Sequence, residues 1–386
     1  MAGPISRTTR LLSSPSRLTD NNVIMVSRPS RAEPIADVRL PALHCTAAAG
    51  TAVLALAVLL ALLNACTGPP ESRPGEVKVL VLNFDPHIPE LGNRPVHEAL
   101  EWNDPRELAE GFASAVAEVS GGRVRYRIVE WRDIDTFIPK TDGFLYTADT
   151  FLQCWRNRES CHDPDGSDYP RLVREHGVVP LVDEGTIDEL WLFGAPYFGF
   201  WESAMAGPGA FYINGGVYEE VPSRRPFAIM GFSYERGVAE MLHNLCHRTE
   251  ATMERIYGGW EVDRLDTNWA RFAANAHQSG GVAAVGTCHF PPNGEAHYDY
   301  DNPRVVQSSA VDWLAFPDLT GRRAPVSCET WGGPDYQLNY LRWWFSHLPQ
   351  AACTNSDGRL NNWWEYVFGF WMYAADGSPL TTDPAP

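Results

Sequence analysis

The chain has no Cys-x-x-Cys spacing, no Gly-x-Gly-x-x-Gly and no Walker-type loop. A zinc ribbon or thioredoxin-like motif is thereby excluded, and a nucleotide cofactor has no phosphate cradle of the usual kind. No internal repeat is apparent. Positive charge is scarce: 31 Lys and Arg stand against 48 Asp and Glu in 386 residues, a formal net charge of −17. Residues 1–65 contribute +3, from Arg7, Arg10, Arg17, Arg28, Arg31 and Arg39 against Asp20, Glu33 and Asp37, so the remainder carries −20. This balance excludes a nucleic-acid backbone or an anionic membrane surface as the main partner. What is present, 44% hydrophobic and only 20% charged residues, describes a folded chain of one large or two ordinary domains.

From Ala47 to Leu63 the sequence is uncharged and almost wholly apolar, and it ends Leu63-Asn64-Ala65-Cys66. A basic stretch, an apolar run and a small residue before the cut describe a secretory signal over 1–65. The cysteine directly after that small residue resembles the lipobox of bacterial lipoproteins, with Asn64 departing from the usual small or β-branched residue. The resemblance implies cleavage before Cys66, diacylglycerol on its sulfur, and a protein held by lipid at the bacterial cell surface or in the periplasm. A transmembrane anchor is the alternative, since ~17–25 apolar residues span a bilayer, but a span does not require the Ala-Cys ending. Met25, followed by Arg28 and Arg31, would start a signal of more ordinary length, making 1–24 a mis-assigned start. Residues 66–76 read as a polar tether rich in Pro and Gly.

Apart from Cys45 and Cys66, six cysteines remain: 154, 161, 246, 288, 328 and 353. An even number outside the cytosol suggests disulfides. Cys154 and Cys161 bracket a short polar loop, Cys328 and Cys353 flank a Trp-rich segment, and by elimination Cys246 pairs with Cys288. A histidine follows each of the last two. Such a bridge holds two Cα atoms within about 7 Å, so His247 and His289 would start close together.

Strand signals lie at 77–83, 124–131 and 187–193, with an edge strand or hairpin at 207–216. Helix signals lie at 104–119 and at 234–257, the latter with Ser233 as N-cap and Glu235 in its first turn. Residues 140–182 read as loop plus a short helix, and helical pieces are expected near 267–276 and 334–346. The expected fold is α/β or α+β: a mixed sheet, a long helix, and a loop-rich C-terminal half with disulfides. A single domain spans 77–373, and 374–386 is a polar tail expected to be disordered.

The long helix carries the best chemical signal. Glu240, His243, His247, Glu250 and Glu254 fall within one arc of about 80°, opposite Val238, Met241, Leu242, Leu245, Met253 and Ile256. Histidines at i and i+4 can meet one ion, with zinc the first candidate. Glu250, one turn beyond His247, is a third ligand or an orienting partner. The bland alternative is a polar stripe facing water. In the loop Gly286-Thr-Cys-His-Phe-Pro-Pro-Asn293, His289 is the favoured third ligand and His297 its rival, while Asn293 and His297 form a plausible wall for substrate.

Strands feeding a helix with His243-Asn244-Leu245-Cys246-His247 resemble the zincin metallopeptidases, whose motif is His-Glu-x-x-His. That resemblance implies a zinc-dependent peptidase with His243 and His247 as ligands. The general-base position, however, holds Asn244, and an amide cannot take a proton from water. Glu240 or Glu250 would have to supply the base. More broadly, Met230–Gly237, His243–Glu250, His289–Asn293, Asp299–Asp301 and Asn361–Trp364 resemble a group of uncharacterised exported microbial proteins, which implies a shared fold and site but no activity.

Other features are weaker. The acidic runs 163–168 and 299–301 lack full EF-hand spacing for calcium. Seven of 14 tryptophans lie in 313–371; most are expected in the core, leaving one or two to stack on a sugar face. Hydrolysis of an extracellular peptide is therefore the first reading, noncatalytic glycan binding the second. A glycosidase using Glu250 and Asp299 is the third.

Overall fold

The computed structural model describes residues 75–380. The expected signal, Cys66, the start of the tether and residues 381–386 lie outside them. The strands β1 (Glu76–Phe84), β2 (Arg125–Ile134), β3 (Glu189–Gly194), β4 (Ser203–Ala206), β5 (Val217–Tyr218) and β6 (Phe227–Ser233) form one sheet, in the order β2-β1-β3-β6-β4-β5. The first four strands of that order run parallel, and β4 lies antiparallel to β6. The fold is thus mixed α/β with a mixed sheet. β1 and β3 are nearly continuous apolar runs because both of their faces are buried, as interior parallel strands require.

Helix α1 (Pro105–Val119) is capped by Asp104, which accepts from the N–H groups of Arg106 and Glu107. Helix α2 (Val238–Tyr257) packs against α1, α3 (Tyr336–Ser346) and α4 (Trp363–Phe368). A long charged side chain ties α2 to the sheet: Arg248, fully buried, pairs with buried Glu189 of β3 at 2.7 Å and donates to the Val367 carbonyl.

Several expectations are corrected. α2 starts at Val238 with Gly237 as its cap; Ser233 still belongs to β6, because the ladder with β3 continues through it. Residues 207–216 form no strand; they link β4 to β5. The segment 140–182 holds three short helices, Ala148–Arg156, Tyr169–Glu175 and Val178–Asp183. Trp363 and Trp364 are both buried, as tryptophans expected in the core, because they open a helix enclosed by it. The Cys154–Cys161 and Cys246–Cys288 disulfides form as expected. Cys328 is instead a free buried thiol held in its own short turn, so it does not bridge to Cys353. Residues 374–380 fold back, with a bridge from Tyr373 to Pro379 and Gly377 accepting from the Tyr366 hydroxyl. Among the described residues no helix is long and apolar enough to cross a membrane.

Candidate metal centre

His243 and His247 project from consecutive turns of α2, and the Cys246–Cys288 bond brings His289 opposite them. His289 Nε2 lies 3.1 Å from His247 Nε2 and 3.2 Å from His243 Nε2. Three histidine nitrogens thus face one point, a group that could hold a metal ion. Zinc–nitrogen bonds of about 2.0–2.1 Å in a tetrahedron place ligand atoms roughly 3.4 Å apart, close to what is seen.

The tautomer of His247 fits the same purpose. Glu250 Oε2 lies 3.0 Å from His247 Nδ1, so the proton sits on Nδ1 and leaves a bare lone pair at Nε2. His289 Nδ1 in turn lies 3.1 Å from His297 Nδ1. Ring nitrogens about 3 Å apart either share a proton or turn their lone pairs to a cation between them. Burial, then the neighbouring His247 and His289, push His243 well below the ordinary imidazole range. Burial likewise brings His289 down to about 3. At His247 burial acts against protonation, but the hydrogen bond and charge of Glu250, with the charge of Glu202, outweigh it and raise the value. Neutral imidazoles at His243 and His289 are the form a metal requires.

The His289 loop is held rigidly. Gly286 has φ +87°, and a Cβ there would meet the Phe290 carbonyl at 2.4 Å, so the turn needs glycine. The α3 side chains clamp its carbonyls: Tyr340 donates to Thr287 O at 2.8 Å and Trp344 to Gly286 O at 3.0 Å. Tyr300 donates to Cys288 O at 2.6 Å. His243 and Glu250 in the polar stripe of α2 are buried against this loop, while Glu254 at the far end of the stripe is exposed.

The remaining candidate residues divide clearly. Glu250 spends one oxygen on His247 and the other on the Cys288 N–H at 2.8 Å, which makes it an orienting partner. Glu240 accepts from Gly237 N–H at the helix cap. Asn244 donates to the Gly231 carbonyl at 2.8 Å, so the residue at the motif's base position ties α2 to β6. His297 is exposed and stands behind His289. Asn293 is fully buried and clamps the Asn302 and Arg304 carbonyls, so it is not offered to substrate as expected. Asp299 closes its own turn through Glu295 N–H and Asn302 Nδ2. Asp165 is neutralised by Lys140 and Asp168 caps a helix, leaving the 163–168 run no calcium cradle. Cys246 and Cys288, close to Glu250, are bonded to each other and are not thiolate ligands.

Residues not anticipated from sequence complete the surroundings. Glu202 Oε2 lies 3.9 Å from His247 Nε2 and accepts from Asn214 Nδ2 at 2.6 Å. Tyr298 packs its ring 4.5 Å from His289. Tyr212 and Tyr298 are 60% and 48% exposed; Tyr212 donates to Asn214, the partner of Glu202. A sequence signal for Glu202 does exist: it is the lone charged residue between Glu189 and Glu219. No family model and no curated protein matches this chain.

Proposed function

We propose that this protein is an exported lipoprotein, tethered to the bilayer through acylated Cys66, whose folded part is a zinc-dependent hydrolase of extracellular peptides. The observation that carries the reading is the convergence of the His243, His247 and His289 Nε2 atoms, with Glu250 holding the His247 Nδ1 proton so that its Nε2 lone pair faces inward. Zinc held there would supply a Lewis acid for a carbonyl oxygen and would lower the pKa of water toward ~7. His243, His247 and His289 would hold the ion, Glu250 orients His247, and the Cys246–Cys288 bond fixes the distance between the two histidine-bearing segments. The exposed rings of Tyr298, beside His289, and Tyr212, bonded to Asn214, offer apolar faces to a substrate at an otherwise polar centre.

A mixed sheet followed by a helix with paired histidines supports the likeness to zincins, while Asn244 separates this chain from their motif. Of the C-terminal tryptophans that the glycan-binding alternative would use, Trp313, Trp344, Trp363 and Trp364 are core, while Trp331, Trp343 and Trp371 are half-buried. Zinc-loaded protein incubated with a mixed peptide library should generate new N-termini, detected by mass spectrometry. Chelation should abolish them and added zinc restore them. No new termini from zinc-loaded protein would overturn the hydrolase reading. For the tether, Cys66→Ser should move the protein from the membrane fraction to the soluble fraction.

A further inference from the structure

We infer that Glu202 is the general base of this centre, supplied from the residue just before β4 in place of the glutamate that the helix lacks; this rests on the metal-dependent hydrolase reading above. Its carboxylate lies 3.9 Å from His247 Nε2, the atom that faces the converging nitrogens. That separation is too long for a direct hydrogen bond and leaves the oxygen within reach of a water at the same point.

Three contacts fix it there. Asn214 Nδ2 donates to Oε2 at 2.6 Å, Gly231 N–H donates to the Glu202 carbonyl at 3.2 Å, and the Tyr169 hydroxyl accepts from Trp201 N–H at 2.8 Å. Gly231 is essential to this approach, because a Cβ there would meet the Trp201 carbonyl at 2.3 Å. The same Gly231 accepts from Asn244, so one strand residue joins the amide at the motif's base position to the segment that carries the carboxylate. The competing acids are otherwise engaged: Glu250 in two bonds and Glu240 at the cap. Glu202 is also partly exposed, as a group that must meet substrate has to be.

In the reaction, Glu202 takes one proton from water as the water oxygen bonds to the substrate carbonyl carbon. The carboxyl then passes that proton to the amide nitrogen as the C–N bond breaks, releasing an amine. The second water proton stays with the new carboxyl group, and no oxidant or further reactant is consumed.

A substrate-independent test uses the full protein loaded with cobalt, whose visible spectrum reports ligands, and two probes. Acetohydroxamic acid binds metals as its anion and must hand a proton to a nearby base, whereas azide needs no acceptor. Glu202→Gln should keep one cobalt per chain and its azide affinity, but lose about tenfold or more in acetohydroxamate affinity. Asn214→Ala should give a smaller loss of the same kind. Equal acetohydroxamate binding by Glu202→Gln and the unaltered protein would overturn the assignment. Loss of cobalt from Glu202→Gln alone would overturn it too, by making Glu202 a ligand. Failure of the unaltered protein to bind cobalt would instead bring down the metal reading on which the assignment stands.

Discussion

Glu250 Oε1 accepts the backbone N–H of Cys288 at 2.8 Å, one residue before His289. Its other oxygen meets His247 Nδ1, so a single buried carboxylate sets both histidine-bearing segments. Removing its charge while keeping its shape should therefore loosen the centre without unfolding the protein. Glu250→Gln is expected to weaken zinc affinity about 10–100-fold, measured by competition with a chromophoric chelator. Unchanged affinity would show that the orientation of His247 does not depend on Glu250.

The Cys246–Cys288 disulfide closes a loop of 42 residues in sequence separation. Replacing both cysteines by serine should destabilise the protein by about 2–4 kcal/mol in urea titration and weaken metal binding as well. The same change at Cys154 and Cys161 should leave metal affinity alone, because that bond closes a distant loop.

Restoring the zincin glutamate should not restore a catalyst. Asn244 is buried and its amide donates to the Gly231 carbonyl, so Asn244→Glu removes the donor and sets a carboxylate against a carbonyl oxygen. We expect a loss of about 1–3 kcal/mol in stability with no gain in peptide hydrolysis. Higher activity at undiminished stability would contradict the placement of this side chain.

Arg248 and Glu189 are a paired test of the core. Arg248→Met strands a buried carboxylate and should cost about 3–5 kcal/mol, read from the urea midpoint. Adding Glu189→Leu should recover most of that loss, because the uncompensated charge is then gone.

Much of the frame was legible in the sequence because burial writes itself into composition. β1 and β3 are continuous apolar runs, and α1 carries an Asp-Pro start with a Gly-Gly stop. The three histidines and the Cys246–Cys288 bond were also within reach, since adjacent Cys-His pairs couple a covalent link to a ligand. Other features depend on contacts distant in sequence. The burial of His243 and Glu250 in the polar arc of α2 depends on contacts with the loop from Gly286 to Tyr300, while Glu254 in the same arc stays exposed. Asn293 looked like a site wall because Asn is polar and sits in a Pro-Pro loop; its burial comes from carbonyls nine and eleven residues away. Glu202 comes from the opposite side of the centre, 45 residues before His247, and only the Gly231 crossing brings it near.

The central claim is that His243, His247 and His289 form one metal centre. Elemental analysis of the purified protein after dialysis against trace zinc tests it most directly, beside a His243→Ala/His247→Ala variant and a His289→Ala variant. One zinc per chain is predicted for the unaltered protein, with stoichiometric binding lost in the double variant and strongly weakened in His289→Ala. No stoichiometric zinc in the unaltered protein, or equal zinc in all three, would contradict the account.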